Sequence, residues 1–289
     1  MPEERPTKNQ RREAAREAAR LEREKQKRRD RLRRWLIPTV STLAILAIAA
    51  GIVWAFVSNQ PAPQSAAGPR NMISDGILFT ADDSGAVVPV ETGAIKPSGT
   101  PTPTEPEDDG LAHIVTYVDF SCPGCKAFEE AYATSIDALV AAGVATLEVH
   151  PIAILDSRYA GSRYSTRSNN AGACVADLAP ESFLDVMAAF YAGQPEEGTT
   201  GLTDKEIIDL VHGAGLVNDD VDACIEDELF VPWITSATER TTSDPDLVVE
   251  GQPGFSTPTI VVNGVVWDRS NDVMEFIQSA ISPSDPGTD

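Results

Sequence analysis

Leu36–Val57 is a run of 22 residues without one charged side chain, LIPTVSTLAILAIAAGIVWAFV. Wound into a helix it is roughly 33 Å long at about 1.5 Å per residue, enough to cross a hydrocarbon core of about 30 Å. Its polar residues are Thr39, Ser41 and Thr42, too few to give the wet face that a surface helix carries. Trp35 and Trp54 fall near the two ends, where indole rings settle among headgroups. Pro38 sits in the first turn, where a missing N–H costs little. The run reads as a single transmembrane helix, and a chain that crosses once must divide into a tail on one side and a body on the other.

Charge says which side is which. Of 23 basic and 44 acidic residues, 14 and 7 lie within residues 1–35, leaving 9 and 37 for the rest. The cluster Lys27-Arg28-Arg29, Arg31 and Arg33-Arg34 directly precedes the apolar run, and no basic residue follows until Arg70. The positive-inside bias predicts a cytoplasmic N-terminus and an extracytoplasmic segment 58–289. A cleaved signal peptide is the rival reading. Against it stand the long charged leader, the length of the apolar run and the lack of a small-x-small site directly after it. Opposite charges at helical spacing (Glu24/Arg28, Asp30/Arg34, Glu13/Arg16, Glu17/Arg20) predict a solvated or lipid-skimming helix in residues 1–35. The 27–34 cluster suits anionic headgroups. Beyond residue 35 the net charge is −28, which repels a phosphate backbone and excludes nucleic acid as the partner of the body.

Residues 58–110 read as a linker. Pro, Gln, Ser and Ala dominate 58–70, and 96–110 is KPSGTPTPTEPEDDG. Between them Ile77–Thr80 and Ala86–Val90 flank the turn-forming Asp82-Asp83-Ser84-Gly85, which predicts a short hairpin near 77–90. The folded body is expected to span 111–289. His113–Phe120 is strand-like and ends at Cys122-Pro123-Gly124-Cys125; residues 123–142 follow as a helix, with Phe128, Tyr132, Ile136 and Leu139 on one face. Ala145–Ile154 is a second strand, apolar enough to be buried on both faces. Helices are expected at 169–178, 181–192, 203–213 and 219–239, a helical insert of about 165–241, with a capping box at Thr203/Glu206. Thr259–Val262 and Val265–Trp267 form a hairpin around Asn263-Gly264, and a helix near 271–281 closes the chain. The order predicts an α/β fold with a mixed central sheet and helices on both faces.

All four cysteines follow the apolar run, which places them in an oxidising compartment. Cys122 falls at a helix N-cap with Pro123 at the first helical position. There the free N–H groups of the first turn and the positive end of the helix dipole stabilise a thiolate. Cys125 lies one turn on, within disulfide reach. An exposed acidic thiol beside a shielded one is what thiol–disulfide exchange needs. Two other readings stand beside it: half of a zinc site, or a short structural disulfide. A zinc ribbon wants a second close pair, whereas Cys174 and Cys224 are 50 residues apart and His113, His150 and His212 have no ligand spacing. No metal is therefore assigned. A short disulfide closes too small a loop to contribute much. Cys174 and Cys224 each have helix-like neighbours and read as a staple between two helices of the insert; a second redox pair or two buried thiols are the alternatives.

Asp119-Phe120-Ser121-Cys122-Pro123-Gly124-Cys125, with Ser256-Thr257-Pro258-Thr259 ahead of the last hairpin, resembles the DsbA-like branch of the thioredoxin superfamily. The basic tail and anchor extend the resemblance to the membrane-anchored DsbA-like proteins of actinobacteria. It implies a thioredoxin-like fold with an inserted helical domain and no cofactor. By that resemblance Cys122 is the attacking cysteine and Cys125 the resolving one. Pro258 is a cis-proline facing the pair, and Thr257 offers backbone groups to an extended substrate. Reduced or unfolded secreted polypeptides become the substrates, and a membrane thiol oxidase or reductase the electron partner. Asp119 is a candidate proton acceptor for Cys125, an exposed strand-end carboxylate being the other reading. Phe120 and Phe255 are assigned either to an apolar rim or to the core; Trp233 and Trp267 are assigned to the core. The Pro-Gly dipeptide matches neither the Gly-Pro of thioredoxins nor the Pro-His of the best-known DsbA oxidases, so the potential does not carry over. Thr257 is shared with isomerase-type members. Oxidase, isomerase or reductase, and a non-catalytic chaperone of the same fold all remain open at this point.

Overall fold

The computed structural model describes residues 67–104, 110–249 and 251–281, together with Lys25 and Lys27. The apolar run 36–57 lies outside them; among the described residues no helix is long and apolar enough to cross a membrane. Six strands make one sheet: β1 (Ile77–Ala81), β2 (Val87–Pro89), β3 (Ala112–Val118), β4 (Ala145–Pro151), β5 (Thr259–Val262) and β6 (Val265–Val266), in the order β2-β1-β4-β3-β5-β6. β3 and β4 pair in parallel and every other neighbour pairs antiparallel. Among the described residues from 67 onward, the α-helices are α1 (Pro123–Ala141), α2 (Tyr164–Leu178), α3 (Phe183–Ala192), α4 (Asp204–Gly213), α5 (Asp219–Glu226), α6 (Val231–Ser243) and α7 (Val273–Ile281). α2 to α6 form the insert between β4 and β5.

Local sequence accounts for the elements around β3. Ala112, Ile114, Thr116 and Val118 are buried and alternate with half-buried His113, Val115 and Tyr117, the period-2 pattern of a strand with one face on the core. Its chain then enters α1, whose Cys125, Phe128, Ile136 and Val140 are buried against the sheet. Each such large apolar side chain contributes about 1.5–3 kcal/mol when fully buried. Gly143, at φ 66°, ends the helix by donating its N–H to the carbonyl of Val140 at 2.8 Å. In the β5–β6 hairpin Asn263 and Gly264 both have positive φ, as a type I′ turn requires. The capping box of α4 has both of its bonds: Glu206 N–H donates to Thr203 Oγ1 at 3.3 Å, and Thr203 N–H donates to Glu206 Oε2 at 2.8 Å.

Three sequence expectations are corrected. The folded body does not begin at Leu111. β1 pairs with β4, Ile77 opposite Val149 and Phe79 opposite Leu147, so the hairpin belongs to the central sheet and covers an edge that β4 would otherwise expose. The segment ahead of it also clamps the insert. Asp75 accepts from both Arg240 Nε and Nη2 at 2.7 Å and from Trp233 Nε1 at 3.1 Å. The long helix expected over 219–239 is two, because Pro232 has no N–H for the carbonyl four residues back and its ring clashes there; Glu228 turns the chain at φ 49°. α2 starts at Tyr164 rather than 169. Every residue from Tyr164 to Ala176 is buried, and polar side chains paired by hydrogen bonds hide the apolar period.

Candidate active site

Cys122 occupies the N-cap of α1 in extended backbone, φ −85° and ψ 120°, with Pro123 in the first turn. Its backbone N–H donates to Asp119 O at 2.9 Å and its carbonyl accepts from Lys126 N–H at 3.0 Å. Cys125 is one turn further along the helix and almost fully buried; both cysteines are free thiols. Across the site the Thr257–Pro258 peptide is cis, and Cys122 Sγ donates to Thr257 O at 3.6 Å. The two thiols have opposite electrostatics. A hydrogen bond from Cys125 pulls Cys122 down to about 6, helped by Thr257 and by the N–H groups of Cys125 and Gly124 against the cost of burial. Burial pushes Cys125 well above the ordinary thiol range, and its hydrogen bond to Cys122 and the charge of Cys122 add to this.

The segment leading to Cys122 is fastened at every residue. Asp119 is wholly buried, which overturns the exposed strand-end reading: the insert closes over the end of β3. Its Oδ1 accepts from Ser121 N–H at 2.9 Å, Ser121 Oγ at 2.7 Å and Asn169 Nδ2 at 3.2 Å. Its Oδ2 accepts from Ile154 N–H at 3.0 Å and Ser165 Oγ at 2.6 Å. Burial pushes this carboxyl up, and the hydrogen bonds from Ser165, Ser121 and Ile154 oppose it. Tyr159 Oη donates to Ser121 O and Gln194 Nε2 to Phe120 O, each at 2.9 Å. The Phe120 ring belongs to the core, stacked on Phe190 at 5.2 Å and edge-on to Tyr191 at 5.9 Å. It lies so close to α2 that a Cβ on Gly172 would come within 2.6 Å of it, so that helix position must be glycine.

Phe255 is half-buried and edge-on to Tyr117 at 6.1 Å. Trp233 is in the core, as read from sequence; Trp267 is half-buried, its Nε1 donating to Asn271 O and Oδ1 at 3.2 Å. Cys174 and Cys224 are joined by a disulfide between α2 and α5, with Cα atoms 5.9 Å apart. Among the described residues no cluster of His, Cys, Asp or Glu is arranged to hold a metal ion.

A protein-family model described as thioredoxin matches residues 107–281. The chain belongs to the thioredoxin family. Among solved structures this thioredoxin-family chain is similar to reduced DsbA from Mycobacterium tuberculosis at 25% identity, with a TM-score of 0.52 over 72% of this chain and 92% of that one. The oxidised form of the same protein gives 26% identity and a TM-score of 0.52, covering 71% and 92%. Oxidised BdbD from Bacillus subtilis is similar in fold, with 15% identity, a TM-score of 0.50, and 75% and 98% of the two chains covered. No curated protein sequence matches. The family, the DsbA likeness and a paired-thiol helix N-terminus make this member of the thioredoxin family a DsbA-like thiol–disulfide oxidoreductase.

Sequence reading missed the partners that come from a distance. Ser165, Asn169 and Gln194 belong to the insert, and nothing local links them to Asp119 or Phe120. Arg269 was missed too. Its Nη2 donates to Pro258 O at 2.9 Å and ties the cis-proline loop to the turn after β6.

Proposed function

We propose that the chain is a disulfide donor to reduced, unfolded polypeptides outside the cytoplasm. Residues 36–57 anchor it in the membrane, and residues 1–35 face the cytoplasm. Cys122 is the cysteine that exchanges with substrate, Cys125 the one that closes or opens the internal disulfide, and Thr257 with Pro258 the loop that receives an extended substrate strand. The observation that carries this reading is the asymmetry of the pair: the Cys122 thiol sits at the start of α1 and is drawn down to about 6, while Cys125 is pushed up. A thiolate stabilised in the reduced form makes the disulfide a better oxidant, since the product of reduction is the favoured state. Each donated disulfide leaves Cys122 and Cys125 reduced, so turnover requires a thiol oxidase; the anchor favours a membrane-resident one.

The test is direct. Oxidised full-length chain in detergent is mixed with a reduced, unfolded polypeptide containing several cysteines, and free thiols are counted by alkylation and mass. Two substrate thiols should disappear for each chain that becomes reduced, and Cys122→Ser should be inert. A chain that instead opens disulfides in an oxidised polypeptide, and does not close them in a reduced one, is a reductase or isomerase.

A further inference from the structure

Beyond residue 35 the chain carries 9 basic residues against 37 acidic ones, so an unpaired cation there is unusual. Seven of the nine meet a carboxylate of the chain itself, among them Lys126 with Glu130 on α1 and Arg158 with Glu197. The other two, Lys96 and Arg269, meet none among the described residues. Lys96 lies on the segment between β2 and β3. Arg269 lies at the active site.

Arg269 Nη2 donates to Pro258 O at 2.9 Å and to Ser256 Oγ at 3.4 Å. Both acceptors are neutral, and both belong to the loop whose Thr257 carbonyl accepts from Cys122 Sγ at 3.6 Å. Nε and Nη1 find no partner among the described residues, and the residue is exposed. The carboxylates beside it in sequence are engaged elsewhere. Asp268 accepts from Ser270 N–H at 2.8 Å; Asp272 accepts from Met274 N–H at 2.8 Å and from Tyr132 Oη at 3.3 Å. The Arg269 backbone has φ 63°, the left-handed region that favours glycine. An arginine there brings a side chain that the turn itself does not need.

We propose that Arg269 is a specificity residue, which receives a carboxylate of the substrate, an Asp or Glu side chain close to the exchanging cysteine. The proposal rests on the reading that Cys122 exchanges with polypeptides and that Thr257 and Pro258 receive them. A guanidinium is a planar fork that matches a carboxylate with two parallel N–H donors. The bond to Pro258 O holds one arm of that fork against the loop, so less ordering remains to be done when a carboxylate arrives. The net charge of −28 beyond residue 35 repels acidic polypeptides in general. Arg269 reverses that at one place, so what is selected is the distance between the acidic residue and the cysteine. A basic residue at the same place is disfavoured.

The experiment reads that selection directly. Full-length Cys125→Ser chain in uncharged detergent is given short peptides whose single cysteine carries thionitrobenzoate. The Cys122 thiolate attacks the peptide sulfur. The Cys122–peptide disulfide forms, the bond to thionitrobenzoate breaks, and that group leaves with the electron pair as a coloured thiolate. One glutamate is moved through the three positions on each side of the cysteine, with glutamine and lysine in parallel. At one or two positions glutamate should load about two- to fivefold faster than glutamine, and lysine more slowly. Added salt should level the three. At those positions Arg269→Gln should level them without salt, Arg269→Lys should keep part of the preference, and Arg269→Glu should turn it toward lysine. Each variant is judged by its own ratio between peptides, so a general slowing from a loosened Pro258 loop cancels. If no position favours glutamate while Arg269 is present, or if the preference survives Arg269→Gln, the proposal is overturned. If no peptide loads onto Cys122 at all, the reading of Cys122 as the exchanging cysteine fails, and recognition at Arg269 falls with it.

Discussion

Both cysteine pairs of this chain are buried, yet one is open and the other is closed. Cys122 and Cys125 share the first turn of α1, where the N–H groups of Gly124 and Cys125 help to lower Cys122 and the facing Thr257 carbonyl accepts from its sulfur. Cys174 and Cys224 lie well inside α2 and α5, away from any helix start, and are surrounded by core side chains. The same side chain becomes a reagent in one place and a tie in the other. The difference teaches that the partners a buried thiol meets set what it does here: Cys122 is lowered first by Cys125, while burial raises Cys125 itself. On the proposed reading the two pairs have different tasks: the first exchanges with substrate, and the second ties α2 to α5.

The largest effect expected from this contrast is at Cys125. Cys125→Ser should accumulate mixed disulfides at Cys122 that the wild type clears, visible as high-mass adducts on non-reducing gels. Serine at either Cys174 or Cys224 should give no such adducts with unfolded substrates at Cys122.

Next comes pH. Cys122 should titrate near 6 by ultraviolet thiolate absorbance, and its alkylation rate should drop about tenfold for each pH unit below that. A thiol whose pKa is depressed on folding stabilises the reduced folded chain while ionised. That contribution is full above the ordinary value of 9.0, shrinks as pH falls from there, and is gone below about 6. Reduced chain should therefore gain stability relative to oxidised chain as pH rises from 6 to 9. A thiolate midpoint near 9 would erase the contrast between the pairs.

Removing the closed pair should cost stability and spare chemistry. The double variant Cys174→Ala, Cys224→Ala opens a loop of 50 residues, worth at most about 4 kcal/mol in the chain-entropy model. Denaturant unfolding should register that loss, while alkylation of Cys122 in the folded state stays unchanged. A slower Cys122 would mean that the staple shapes the active site directly.

The smallest effect probes the seam between the two regions. Ser165 of α2 donates to Asp119 Oδ2 at 2.6 Å. Ser165→Ala leaves that buried oxygen one donor short and should cost about 1–3 kcal/mol, read by the same unfolding experiment.

How far the sequence reveals all this depends on the range of each interaction. Cys122-Pro123-Gly124-Cys125 after a strand and Asn263-Gly264 between two apolar runs are local signals, because an N-cap or a type I′ turn is specified by adjacent residues. Pro232 is an equally local signal: it opens the helix Val231–Ser243 and so divides the one expected over 219–239. Other features were out of reach of such patterns. The burial of Asp119 depends on Ser165 and Asn169, which are 46 and 50 residues away. The entry of the 77–90 hairpin into the sheet depends on pairing with β4, some 70 residues on. α2 hid its own start, since Ser165, Thr166, Arg167, Ser168, Asn169 and Asn170 are buried polar residues that break the helical period.

The most direct test of the central claim is a redox equilibrium of the full-length chain in a glutathione series, with each cysteine assigned by alkylation and peptide mass. The account predicts that Cys122 and Cys125 titrate together toward the oxidising end of the scale, about −120 mV, while Cys174 and Cys224 stay joined throughout. A Cys122–Cys125 pair that equilibrates near about −270 mV, or that never titrates, would contradict it.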